Sequence, residues 1–139
     1  MKSALSTLKD IKAISLKIYS EASGKLAAIE NYAEVPWGMQ RVFIITAENL
    51  EIRGNHAHKN CSQAFVVISG KVLLKSFDGL SEESFELNPL DKLLLVPPHI
   101  WIDLELSAGS ALMVLTDELY DEEDYIREKN EFLKFRMNA

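Results

Sequence analysis

The sequence predicts an all-β domain of the antiparallel sandwich or barrel type, and three observations support that class. Short runs rich in Val, Ile, Leu and Phe recur along the chain, and turn residues separate them. The segments 69–71 (SGK) and 77–83 (FDGLSEE) have the composition of hairpin connections. The runs are also regularly spaced, which is typical of sandwiches and barrels rather than of folds that alternate strands with helices.

The predicted strands account for most of the chain. In order, they are 11–18, 25–30, 40–46, 64–69, 71–77, 83–87, 92–96, 100–106 and 110–116. The sequence VPPHIW at 96–101 lies where one strand ends and the next begins, because proline cannot donate a hydrogen bond to a central ladder.

The C-terminal segment has a different composition. Residues 117–136 are mostly charged, with apolar residues interspersed. This pattern predicts a turn and then a helical tail at about 121–136, whose apolar side chains lie on the wall of the barrel. The acidic run 121–124 is interpreted as a solvated face or a helix start rather than as a metal site.

Length and charge limit the class of function. A chain of 139 residues fits one domain, spanning 1–139. The net charge is -6, and no run of Lys or Arg forms a basic patch. Nucleic acid and membranes are therefore not expected as partners. An anionic small ligand is compatible with the charge, because a pocket can be locally basic on an acidic protein.

Cysteine usage favours a cytoplasmic protein. The single cysteine, Cys61, allows no disulfide within the chain, and we interpret it as a small buried thiol rather than a nucleophile. The N-terminal segment 1–17 lacks the continuous apolar region of a signal peptide. The longest apolar stretch, 93–97, is much shorter than a bilayer-spanning segment.

Two of the three histidines, His56 and His58, are separated by one residue in the segment RGNHAHKNCSQAF (53–65). On a strand, residues two apart point to the same face, so both imidazoles would project together. Such a pair can bind a metal ion, transfer protons near neutral pH, or have only a structural role.

The flanking residues favour a functional role for this pair. Arg53, Lys59 and Gln63 bring two cations and an amide into the same short segment. Placing these groups at the mouth of a barrel is costly unless a ligand satisfies their hydrogen bonds.

The segment 54–70, GNHAHKNCSQAFVVISG, resembles the first motif of the cupins, which are small jelly-roll (double-stranded β-helix) proteins. That motif normally supplies two His and one Glu to a metal, but Gln63 stands in the place of the Glu, and an amide is a weaker ligand. In the region that matches the second motif, 96–106, the one histidine is His99, in the turn before Trp101. The resemblance therefore implies a jelly roll with an incomplete set of metal ligands.

Four stretches, in order, resemble a narrower family, the cupin-type dTDP-4-keto-6-deoxyglucose 3,4-ketoisomerases. They are GKLAAIEN (24–31) with VPWGMQRVF (35–43), RGNHAHK (53–59) with Gln63, VPPHIW (96–101), and LYDEEDYIREKNEF (119–132). The resemblance spans roughly residues 11 to 135. RGNHAHK and YDEEDYIR are its most specific parts.

The resemblance implies an isomerase that uses neither a metal nor a redox cofactor and acts on a dTDP-linked 4-keto-6-deoxy sugar. A base removes the acidic proton on C3, an enediolate forms, and an acid returns a proton to C4. By resemblance, His56 and His58 carry these transfers, although the sequence leaves open which one is the base. The family also implies deoxysugar synthesis for glycans such as lipopolysaccharide.

The resemblance also implies substrate-binding residues. Arg53, Lys59 and Gln63 are candidates to stabilise the enediolate. Arg41 matches a family arginine and is the candidate phosphate contact, with a surface strand charge as its alternative role. Trp101 either walls the pocket or packs in the core.

The chain departs from the family at three positions. Phe43 and Ile44 stand where relatives often have tyrosine, and Ile102 stands where relatives often have histidine. Two other functions therefore stay open, a cupin that binds a sugar nucleotide without catalysis and a metal-dependent cupin enzyme. The resemblance further implies a homodimer, in which the strand 11–18 is exchanged between subunits. The sequence leaves open the nucleotide and the configuration of the product at C4.

Overall fold

The computed structural model describes residues 5–138, which form β-strands with a helix at the C-terminal end. In order, the elements are β1 (Lys12–Ser15), β2 (Ile18–Glu21), β3 (Gly24–Ala27), β4 (Arg41–Ala47), β5 (Glu51–His58), β6 (Gln63–Ser69), β7 (Val72–Phe77), β8 (Glu82–Leu87), β9 (Lys92–Val96), β10 (Trp101–Leu106), β11 (Ser110–Thr116), β12 (Tyr125–Ile126) and α1 (Lys129–Met137). Single 3-10 turns lie at Leu8–Asp10 and Glu122–Asp124. No helix within residues 5–138 is long and apolar enough to cross a membrane.

Two five-stranded antiparallel sheets form the body of the fold. Their strand orders are β1-β9-β6-β11-β4 and β12-β5-β10-β7-β8, and β2 pairs with β3 in a separate hairpin. The main core joins apolar side chains of both sheets, among them Phe65, Leu94, Ile102, Leu104 and Leu112, all nearly inaccessible to water. This arrangement confirms the predicted all-β jelly-roll class with a short C-terminal helix.

Most of the predicted strands are present, with two differences. The strand β5, which carries both neighbouring histidines, was not among the predicted segments. The predicted strand 11–18 is divided into β1 and β2 at Leu16, which turns inward and is buried. Within the chain, β1 pairs with β9 from Lys12 opposite Leu95 to Ser15 opposite Lys92.

The prediction of a helical tail over 121–136 was wrong in its first half. Helix α1 begins at Lys129, and the residues before it form the 3-10 turn and the short strand β12. Strand β12 pairs with the end of β5, placing Ile126 opposite Ala57. Pairing with the edge of the second sheet therefore holds this segment in the extended conformation of a strand. Phe132 of α1 packs against Ile126 and Ala57 and is fully buried.

Candidate active site

A bulge in β5 sets the direction of the site residues. The pairing of β10 with β5 shifts register between Ile102 and Asp103, which lie opposite His56 and Gly54, so Asn55 is the extra residue. Gly54 and Asn55 have φ angles of 88° and 53°, in the left-handed region that favours these two residue types. The sequence Gly-Asn therefore suits the backbone at this point, and a bulge locally bends and twists its strand.

Beside the bulge, a cavity of about 330 Å³ opens between the ends of the two sheets. Its rim is cationic, with the side chains of Arg41, Arg53 and Arg127, and its wall includes His56 and Gln63. The apolar residues around it include Phe43, Phe65, Ile102 and Leu104. Such a cavity suits a ligand that combines a negatively charged part with a less polar part.

The His56 imidazole is held by its own strand. Its Nδ1 lies 3.0 Å from the carbonyl oxygen of Gly54. A carbonyl only accepts hydrogen bonds, so we assign the proton of the neutral ring to Nδ1 and the free lone pair to Nε2. Burial lowers the pKa of His56, and the nearby Arg127 lowers it further.

The His58 imidazole forms a buried pair with a carboxylate. Its Nδ1 lies 2.8 Å from Oδ2 of Asp124, and the two side chains are 6% and 9% exposed. Burial lowers the pKa of His58 to about 4, although the hydrogen bond with Asp124 acts in the opposite direction. The ring is therefore neutral at pH 7, with its proton on Nδ1. Its Nε2 is buried and has no hydrogen-bond partner among the described residues.

The two imidazoles and one tyrosine form a compact aromatic group. The ring centroids of His56 and His58 are 5.0 Å apart, with the ring planes at 90°. The ring of Tyr125 lies 5.1 Å from His56 and 4.4 Å from His58. Tyr125 is opposite His58 in the pairing of β12 with β5, so it lies on the same face of the sheet as the two histidines.

The rim next to this group carries a second polar network. Glu122 accepts hydrogen bonds from Nε and Nη2 of Arg127, at 2.6 and 2.8 Å, and from the hydroxyl of Tyr120 at 2.6 Å. These bonds lower the pKa of Glu122 to about 2. The carboxylate thereby holds the Arg127 guanidinium beside the cavity.

The structure brings together most of the residues that the sequence analysis selected, but not all of them. Arg41, Arg53, Gln63 and His56 border the cavity, and His58 packs directly against His56. Lys59 is exposed and does not line the cavity. Trp101 is also absent from the lining.

The Trp101 side chain is 5% exposed and packs with Ala57, Ile126 and Phe132. Its ring centroid lies 5.8 Å from that of Phe132. This position supports the core-packing role rather than the pocket wall.

Sequence reasoning missed the contribution of Asp124, Tyr125, Arg127 and Glu122. All four residues lie in the motif YDEEDYIR (120–127), which served only to identify the family and was not examined for site residues. Within the acidic run, residues 121–123 are exposed as expected, but Asp124 is 8% exposed and faces inward.

One cluster resembles a metal site but does not fit a divalent ion. Ligand atoms of His58, Cys61 and Asp124 all lie within 4.8 Å of one another. However, Nδ1 of His58 already donates to Asp124, and burial raises the pKa of the Cys61 thiol to about 12. Metals bind the thiolate, so this thiol is a poor ligand at neutral pH.

Comparisons with known proteins agree on one family. Residues 9–137 match the family model described as FdtA: WxcM-like, C-terminal. The chain is 33% identical to the TDP-4-oxo-6-deoxy-alpha-D-glucose-3,4-oxoisomerase of Aneurinibacillus thermoaerophilus over 126 residues. This match covers 89% of this chain and 91% of the relative.

Solved structures give the same result. The sugar 3,4-ketoisomerase QdtA from Thermoanaerobacterium thermosaccharolyticum, in complex with TDP, superimposes with a TM-score of 0.89 at 29% identity, over 95% of this chain and 98% of QdtA. The TDP-quinovose 3,4-ketoisomerase WlaRB from Campylobacter jejuni superimposes with a TM-score of 0.84 at 36% identity, over 91% of this chain and 99% of WlaRB. The chain belongs to the FdtA (WxcM-like, C-terminal) family, because the family model matches nearly the whole chain and these relatives align over most of it.

Proposed function

We propose that this chain is a sugar-nucleotide 3,4-ketoisomerase, which moves the keto group of a TDP-linked 4-keto-6-deoxyhexose from C4 to C3. The observation that carries the proposal is a pair of neutral imidazoles, 5.0 Å apart, of which His56 lines an arginine-rimmed cavity and His58 packs behind it. The named relatives are 3,4-ketoisomerases of TDP-linked sugars, and a QdtA variant has been solved with TDP-4-keto-6-deoxyglucose.

The two imidazoles can carry the proton transfers without any change in net oxidation state. A lone pair on Nε2 takes the proton from C3, and the C–H electrons form the C3=C4 bond while the C4 carbonyl becomes an enolate oxygen. The proton on O3 passes to the enolate oxygen on C4, the imidazolium returns its proton to C4, and the keto group remains at C3. Proton transfers of this kind require bases whose neutral form dominates at working pH, as both histidines provide.

The arginine rim can bind the anionic part of the substrate. Arg41, Arg53 and Arg127 border the cavity from β4, β5 and the segment after β12. Guanidinium groups form paired hydrogen bonds with phosphate oxygens, so this rim suits a diphosphate. Gln63, buried at the cavity wall, can donate from its amide to the developing enediolate oxygen.

The test is direct. The protein is incubated with TDP-4-keto-6-deoxyglucose in D2O, and NMR follows both formation of the 3-keto product and deuterium incorporation at C4 of that product. We expect both for the wild type, and a loss of about 100-fold or more in His56→Asn and His58→Asn. The matched control is His99→Asn, outside the cavity lining, which should retain activity.

Binding of TDP without formation of the 3-keto product would instead identify a non-catalytic binding module, a possibility that the apolar Phe43 and Ile44 favour. Stoichiometric metal in untreated protein, with activity lost on chelation, would identify a metal-dependent enzyme. The NMR spectrum of the product also gives the configuration at C4.

We also propose a homodimer, in which the segment 11–18 is exchanged between subunits. The exposed apolar side chains of Val42 and Ile44, 48% and 61% accessible on the outermost strand β4, support an interface at that edge. Light scattering on the purified protein tests the stoichiometry.

We place the reaction in the cytoplasm, which suits the free Cys61, and in deoxysugar synthesis for glycans such as lipopolysaccharide.

A further inference from the structure

We propose that Asp124 is a positioning residue of this site: its carboxylate fixes the His58 imidazole with the proton on Nδ1, so that Nε2 keeps the lone pair needed for proton transfer at the site. The inference rests on the proposed isomerase function and adds a residue from the C-terminal segment to the site.

Both oxygens of the Asp124 carboxylate accept hydrogen bonds. Oδ2 accepts from Nδ1 of His58 at 2.8 Å and from the backbone N–H of Cys61 at 3.3 Å, and Oδ1 accepts from the backbone N–H of Asn60 at 2.7 Å. The backbone carbonyl of Asp124 also accepts from the N–H of Lys59 at 2.9 Å. The carboxylate is thus clamped by the backbone that follows β5, and it cannot turn away from His58.

An ionised carboxylate accepts hydrogen bonds but donates none. A ring nitrogen 2.8 Å from it must therefore carry the proton, which leaves Nε2 of His58 with a lone pair. Nε2 is buried and lacks a partner in the part of the chain that the structure describes. A buried polar atom without a partner is costly, so its retention points to a role in proton transfer beside His56, which lines the cavity.

The carboxylate also compensates the charge that develops during the reaction. When Nε2 takes a proton, His58 becomes a buried imidazolium, which is strongly unfavourable without a counter-charge. The charge lies beside Asp124, whose hydrogen bond already acts to raise the pKa of His58. The same carboxylate therefore sets the starting tautomer and stabilises the protonated ring.

An asparagine at this position removes both contributions. It keeps the size of aspartate but has one accepting oxygen. If that oxygen keeps the short bond from Asn60, the amide NH2 faces Nδ1 of His58 and donates to it. His58 must then carry its proton on Nε2, and the ring loses its function as a base.

The experiment compares wild type, Asp124→Asn and the control Asp117→Asn. Asp117 is also acidic and near the site, but among the described residues its Oδ1 accepts only the backbone N–H of Ser62, a bond that asparagine can keep. Nitrogen-15 NMR of the free proteins reports the tautomer of His58. We expect the Nδ1–H form in wild type and Asp117→Asn, and the Nε2–H form in Asp124→Asn.

Kinetics provides the second measurement. We expect kcat of Asp124→Asn to fall about 100-fold or more with KM changed less than threefold, and both constants of Asp117→Asn to stay near wild type. Wild-type kcat in Asp124→Asn would overturn the positioning role while leaving the isomerase function intact. An inactive wild type would instead refute the proposed function.

The tautomer in the unmodified protein keeps the inference testable even if Asp124→Asn fails to fold. His58 with its proton on Nε2 in the wild type would overturn the inference.

Discussion

Single side chains at the rim concentrate positive charge on a protein whose net charge is -6. Arg41 shows how one of them is held. Its guanidinium carbon lies 4.5 Å from the ring centroid of Phe43 and 5.2 Å from that of Tyr120. Stacking on two rings orients the planar group at low entropic cost, and its N–H donors bond to no other residue within 5–138, which leaves them available for an anion.

We predict that Arg41→Lys raises KM for the TDP-linked sugar about tenfold, which corresponds to roughly 1.4 kcal/mol, with a smaller effect on kcat. Lysine keeps the charge but loses the planar donor fork and the stacking. Steady-state kinetics measures the effect. The control is Lys71→Met, which removes an exposed cation paired with Glu86, outside the cavity lining. An unchanged KM would assign Arg41 the alternative role of a surface strand charge.

At the residue scale, the sequence identified the site residues whose direction follows from the alternation of side chains along a single strand. His56 and His58 share a face because they are two apart on a strand, and Gln63 begins the next inward-facing strand. Asp124 could not be identified in this way. Its burial results from the pairing of β12 with β5, a contact between residues 66 positions apart, and a run of four acidic residues usually indicates solvent exposure.

Among the elements, β5 has the largest influence on the site, and its irregularity explains both its function and the failure to predict it. The bulge allows Arg53 and His56, three residues apart, to border the same cavity, which strict alternation would forbid. The same glycine and asparagine interrupt the apolar pattern, so the segment lacks the periodicity of a strand. In the C-terminal segment, sheet pairing overrides the composition that predicted a helix from 121.

We predict that Gly54→Ala lowers both stability and activity. Its φ of 88° is strained for alanine, and a Cβ there would lie 2.9 Å from the carbonyl oxygen of Ile102. We expect a loss of about 1–2 kcal/mol in the free energy of unfolding, with additional loss from the contact. Moving the Gly54 carbonyl also weakens its hydrogen bond from His56, so kcat should fall.

A second glycine offers a matched control for that variant. Gly109 has a similar φ of 77°, but a Cβ there would meet no atom within 4 Å. Gly109→Ala should show the backbone strain alone, with a smaller fall in the melting temperature and an unchanged kcat. Equal kcat values for the two variants would contradict a role for the bulge in aligning His56.

At the scale of the whole molecule, the fold keeps its three histidines neutral. Burial is the first cause that lowers the pKa of His56, His58 and His99 below 6.5. The unfolded chain therefore binds more protons than the folded protein once the pH falls below about 6.5. The folded state must lose stability on acidification through this window, because stability rises with pH wherever the unfolded state binds more protons.

We predict that the free energy of unfolding, measured by urea denaturation, falls as the pH is lowered from 7 to 4.5, and that His58→Asn flattens this slope. The fall of the His58 pKa from 6.5 to about 4 corresponds to at most roughly 3 kcal/mol. Asparagine can still donate to Asp124 but does not titrate. Asp117→Asn keeps His58 and should keep the wild-type slope. The range stops at pH 4.5 because the Glu122 carboxylate adds its own loss of stability below that pH. Its pKa is 4.5 in the unfolded chain and about 2 in the folded protein. A slope as steep in His58→Asn as in wild type would mean that His58 binds protons equally in the folded and unfolded states, and that burial does not hold its imidazole neutral.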